Sequence, residues 1–219
     1  MKELGLGALT HAMCLSLYSD QNNPHWGDLS VLQAAHAAEI LSKARIAAEH
    51  PLLIFDQIPR FSQAGGPLLA FEDLLEKGRT IDFQDLPERL WTTTGQSMSE
   101  PDVYEAFGRL RNAIQHFAPP AVNASARKLE FMFKVVDPFV FEKWGLYAID
   151  FNEEFGDHCE HIFHTLVHWN LRPRLSPAAA EYWQSPSFRP GSDAPAGYVG
   201  WFADEMRRAG RPIDDERTV

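Results

Sequence analysis

The stretch from Asp28 to Phe55, DLSVLQAAHAAEILSKARIAAEHPLLIF, constrains this chain more than any other. Ala, Leu, Lys, Arg and Glu dominate it, and Asp28 or Ser30 can cap its start. It reads as a long helix that Pro51 must end or bend, since proline lacks the amide proton and clashes with the preceding turn. At about 100° per residue, His36, Glu39, Lys43 and His50 share one narrow face. Val31, Ala34, Ala35, Ala38 and Leu41 fall largely on the others. A mostly apolar helix with one polar stripe belongs to a helical bundle, and the stripe either faces solvent or lines a cleft.

The rest of the chain extends that expectation. From Ser99, a cap-like start, Tyr104, Phe107, Leu110, Ile114 and Phe117 recur every three or four residues until Pro119 and Pro120. Further helices are expected over Leu68–Glu76, Leu86–Trp91, Ala124–Trp144 (kinked at Pro138), Asn152–Trp169 and Tyr198–Ala209. No run alternates for long enough to demand a sheet, and no internal repeat occurs. The expected fold is all-α: a helical domain over residues 1–170, then a partly irregular C-terminal extension over 171–219 that is rich in Pro, Gly and Ser, with a frayed end. The apolar stretch Leu4–Leu17 is interrupted by His11 and is far short of the roughly 20 residues a membrane span needs.

Charge narrows the function. Thirty Asp and Glu against twenty Lys and Arg leave a net charge of −10. Capture of long nucleic acid by bulk charge is thereby disfavoured, and any polyanion site must be local. Two cysteines, Cys14 and Cys159, cannot build a disulfide framework, which fits a reducing cytoplasmic compartment. Gly65-Gly66-Pro67 lacks the Lys-Ser/Thr ending of a phosphate-binding loop, and the tryptophans read as packing.

Two constellations could carry chemistry. Arg111-Asn112-Ala113-Ile114-Gln115-His116 offers a permanent cation, a polar amide and an imidazole that titrates near neutrality. Those are the parts for phosphodiester chemistry without a metal: the arginine holds phosphate and the histidine moves a proton. A surface Arg and a helix-end His favoured by the dipole would show the same spacing. Five residues of regular helix rotate about 140°. Arg111 and His116 therefore need either a distorted helix or a second subunit to meet at one point. The second constellation is Asp157–His168, where His161, His164 and His168 fall within about 60° of one another, with Glu154 and Asp157 nearby. Histidines four apart can share zinc or nickel, which would make a metal-dependent hydrolase. An amphipathic helix with histidines on its wet face gives the same pattern.

The octapeptide LRNAIQHF resembles the Arg-(x4–6)-His signature of HEPN domains, with Asn112 as the polar residue that commonly follows the arginine. HAAEILSKARIA, an earlier helix bearing the acidic Glu39, is similar to the family's first-helix pattern, and the resemblance spans roughly residues 10–145. It implies an all-α bundle that dimerises so that two motifs meet in one cleft. For active members it implies metal-independent, cofactor-free endoribonuclease activity of toxin or phage-defence type; others bind nucleotide or RNA without cutting. On that resemblance Arg111, His116 and Asn112 are the expected catalytic residues and Glu39 a supporting substrate contact. RNA or a nucleotide is the expected partner, alongside an antitoxin or nucleotidyltransferase.

Overall fold

The computed structural model describes residues 1–18, 22–60, 67–116, 124–152 and 155–213. Phe117, the Pro119-Pro120 stop, Gly65-Gly66, Glu154 and the final charged residues 214–219 lie outside them. The fold is all-α, with one small two-stranded ribbon.

Helix α1 (Lys2–Leu17) lies along α2 (Trp26–Glu49), the most extensive helix pairing among the described residues. Gly5 makes the approach possible: a Cβ there would sit 2.7 Å from Leu41 Cδ2. Leu9, Ala12, Met13, Val31, Ala34 and Leu41 fill the seam. Pro51 ends α2 as expected. It opens a 3-10 turn (Pro51–Ile54) whose first amide, on Leu52, donates to His50 Nδ1 at 3.2 Å.

Strand β1 (Phe55–Gln57) pairs antiparallel with β2 (Arg79–Thr80), enclosing α3 (Phe71–Lys77). Strands of three and two residues are too short to show alternation in a sequence. A 3-10 turn (Phe83–Asp85) leads into α4 (Leu86–Thr94), which Gly95 closes in the left-handed region at φ 71°. Helix α5 (Pro101–His116) then buries Tyr104, Phe107 and Leu110, as its periodicity requires. Phe107 stacks face to face on Phe131, ring centres 3.8 Å apart, and Tyr104 stacks on Phe83 at 4.6 Å.

The expected kink at Pro138 takes a definite form. Between α6 (Ala124–Phe131) and α7 (Asp137–Trp144) the chain makes a π turn over Met132–Val136, with Asp137 N–H bonded to Met132 C=O five residues back. The wider turn sits just before a proline that can neither donate nor tolerate the carbonyl four residues behind it.

Three further helices follow among the described residues: α8 (Phe155–His168), α9 (Pro177–Trp183) and α10 (Tyr198–Arg208). The sequence expectation for the extension lacked α9. Ser176 caps it by accepting the Ala179 N–H at 3.0 Å, and Pro177 opens its first turn. Leu171, Leu175, Ala180, Trp183, Phe202, Met206 and Ile213 belong to the same contiguous buried cluster as the helices before them. Asp137, buried at 1% exposure, ties this segment down by accepting the amides of Ala148 (2.9 Å) and Arg174 (3.1 Å).

Candidate functional site

The cleft forms where α2, the β2–α4 segment and α5 meet, and encloses about 540 Å³. Arg111, Asn112 and His116 line it from α5, and Glu39 lines it from α2. All four residues singled out in the sequence therefore share one cavity within a single chain. Helix α5 is regular from Pro101 to His116, so the shared cavity arises without a distortion of the helix.

Tyr104, Gly108, Arg111 and Asn112 follow one another at i, i+4, i+7 and i+8, one face of α5, and each lines the cleft. The half-buried Arg111 guanidinium lies over the Phe83 ring, 5.9 Å from its centre, and donates to Asn112 Oδ1 at 2.9 Å. Phe83 is itself held, because the Tyr104 hydroxyl donates to its carbonyl at 2.6 Å. His116, the last residue of α5, is exposed at the cleft. The Tyr104 hydroxyl registers both poles of the site. Burial pushes its pKa well above the ordinary value, the Glu39 carboxylate adds to that rise, and the Arg111 cation opposes it.

The charges can be matched one by one. Glu39 pairs with Lys43 at 2.6 Å, Asp82 with Arg79 at 2.6 Å, and Glu105 with Arg109. Every carboxylate lining the cleft thus has its own cation. Arg111 has no carboxylate within ion-pair distance among the described residues, so it remains as surplus positive charge. In a chain of net charge −10, any polyanion site would have to be local in this way.

The polar stripe of α2 divides. His36 is exposed and His50 caps the turn at Pro51, whereas Glu39 and Lys43 turn inward. Lys43, only 7% exposed, also donates to Thr80 Oγ1 at 3.0 Å and so ties α2 to the ribbon.

The late histidines engage separate neighbours. His161 Nε2 bonds the Leu17 carbonyl at 2.9 Å and its ring stacks on Tyr18; His164 lies 3.8 Å from Glu160; His168 packs edge-on to Trp169. Among the described residues no three His, Cys, Asp or Glu side chains converge so as to hold a metal ion. The wheel placed these rings on one side correctly, but His161 is spent on the end of α1.

Sequence reasoning missed Phe83 and Gly108, and it placed Lys43 on the α2 stripe without its partners Glu39 and Thr80. A lone glycine inside a strongly amphipathic helix was the available signal for Gly108, since it weakens the helix unless packing or a ligand needs the space. No family model, curated protein or solved structure matches the chain.

Proposed function

We propose that the chain is a metal-independent endoribonuclease of HEPN type, acting in toxin or defence fashion in the cytoplasm as a homodimer. The observation that carries this reading is the surplus cation: Arg111 stands in a cleft whose carboxylates are each already paired, beside Asn112 and His116. Arg111 holds the phosphate and stabilises the charge that builds on it during attack. Asn112, already bonded to the guanidinium, orients it. His116 moves the proton.

The chemistry balances without a cofactor. The ribose 2′-hydroxyl loses its proton and attacks its own phosphorus, and the bond from phosphorus to the 5′-oxygen breaks. The leaving oxygen takes a proton, so a 2′,3′-cyclic phosphate and a 5′-hydroxyl result. DNA lacks the nucleophile. The dimer brings two such clefts together, and an antitoxin or nucleotidyltransferase is the partner class that would keep them in check.

The deciding experiment compares wild type with Arg111→Ala and His116→Ala in an RNA cleavage assay containing EDTA. Each variant is expected to stay folded and lose about 10²–10⁴-fold in rate, with RNA carrying 2′-deoxyribose at the cut resistant. Equal cleavage by all three proteins would remove the enzyme. Binding of RNA with no cleavage by any of them would leave a nucleotide- or RNA-binding module, which the same surplus charge also serves.

A further inference from the structure

Gly108 is placed where a helix has least reason to carry a glycine. It lies in the interior of α5, between Tyr104 and the Arg111-Asn112 pair, on the face that lines the cleft. Packing does not require it. A Cβ at this position would meet only Phe83, at 3.4 and 3.6 Å, which is ordinary contact distance. The glycine therefore leaves a flat patch of helix backbone as cleft wall, one turn before the guanidinium.

Glu39 supplies a matching feature from α2. Its Oε1 accepts from Lys43 Nζ, which neutralises the carboxylate and lets it stand in an anion-binding cleft without repelling the anion. Its Oε2 receives no donor among the described residues. Glu39 thus presents acceptor capacity to the same cavity that Gly108 lines, beside the Phe83 ring, without a side chain.

From these residues we infer that the cleft contains a nucleobase seat selective for guanine, its ring lying on Gly108 and its N–H edge read by Glu39. Guanine presents an imino and an amino donor side by side, which one carboxylate accepts together. Adenine and cytosine each offer an amino donor next to an acceptor, and uracil an imino donor between two carbonyls; none matches. The seat deepens the endoribonuclease reading and rests on it for the phosphate subsite at Arg111.

The test uses the full chain and the four 3′-nucleoside monophosphates, with inorganic phosphate as a fifth probe, in calorimetric titrations. Wild type is expected to bind 3′-GMP at least about tenfold tighter than the other three. Glu39→Gln, whose amide sets a donor against the guanine donors, erases that preference. Gly108→Leu fills the seat and weakens every nucleotide while leaving inorganic phosphate bound. Gly108→Ala separates a seat from a structural glycine: alanine suits a helix interior better, so melting rises by about 2 °C while 3′-GMP binding falls. Equal binding of the four nucleotides, a guanine preference that survives Glu39→Gln, or tight 3′-GMP binding by Gly108→Leu would each overturn the seat. Its failure is distinguishable from failure of the enzyme reading. RNA cut in an Arg111- and His116-dependent way with no guanine preference would sink the seat alone. Guanine-selective binding without cleavage would keep the seat and remove the nuclease.

Discussion

Lys128 puts a cation where the fold has almost no water to offer it. The residue is 3% exposed, and its ammonium donates to the Leu15 carbonyl at 3.1 Å near the C-terminal end of α1. Burial lowers its pKa from the ordinary 10.5 to about 8. That displacement corresponds to about 3 kcal/mol of disfavoured charge in the folded state at neutral pH. Replacing Lys128 by methionine, a similar length of apolar chain, removes the penalty and sacrifices one charged hydrogen bond worth about 1.5–3 kcal/mol. Leu15 O is not orphaned by the change, because the Trp26 indole also donates to it at 3.0 Å. Lys128→Met should therefore raise stability at pH 7 by about 1 kcal/mol. The sign of the pH dependence follows from linkage. Between pH 8 and 10.5 the folded wild type has released the Lys128 proton while the unfolded chain still holds it, so wild-type stability climbs through that window. Methionine has no proton to release. In urea unfolding the variant should lead at pH 7 and lose its lead by pH 10, and the difference between the two proteins cancels every other group that titrates alike. A variant less stable at pH 7, with a gap that does not move at pH 10, would show that the buried ammonium holds the fold together.

Two further outcomes test the packing and the buried acid. Burial raises the Asp137 carboxyl to about 6 against the hydrogen bonds from Ala148 and Arg174, so the folded protein takes up this proton before the unfolded chain does. Its contribution to stability should rise as pH falls from 6 towards 4 and be absent from Asp137→Asn; a carboxyl resonance titrating near 4 in the folded protein would contradict it. Phe131 is fully buried and stacked on Phe107, so Phe131→Ala should cost about 3–5 kcal/mol and lower the calorimetric Tm by about ten degrees. A loss below 1 kcal/mol would mean that the stack is not a packed core.

The elements legible in the sequence were those whose residues state their own surroundings. Tyr104, Phe107 and Leu110 announce a buried face of α5 by spacing alone, and α2, α8 and α10 likewise fall where their patterns put them. The ribbon was silent because its strands pair Phe55–Gln57 with only Arg79–Thr80, below any periodicity. Ser176-Pro177 is a proper helix start, but the Pro, Gly and Ser around it concealed α9. At the site, Arg111, Asn112 and His116 were visible as a motif and Glu39 as part of a stripe. What no pattern could show is pairing across the fold. Lys43, paired with Glu39, reaches Thr80 at a separation of 37, and His161 meets the Leu17 carbonyl at a separation of 144. That Arg111 has no carboxylate partner emerges only after each carboxylate lining the cleft has been matched.

The shared core of the early and late helices has a practical consequence for anyone dividing this protein. Composition suggests a boundary near residue 170, where proline and glycine become frequent. Cutting there would strip Trp183 and Phe202 from Phe163, whose ring packs edge-on to both. It would also take away the Arg174 amide that Asp137 accepts and the Ser176 hydroxyl bonded to Asp150, leaving Asp137 with the Ala148 amide alone and Asp150 without that donor, beside a newly wetted apolar wall. Such a fragment carries the liabilities of an exposed hydrophobic patch: self-association and poor solubility. The described residues after 170 supply one side of the same buried core, so a cut at the compositional boundary falls inside that core.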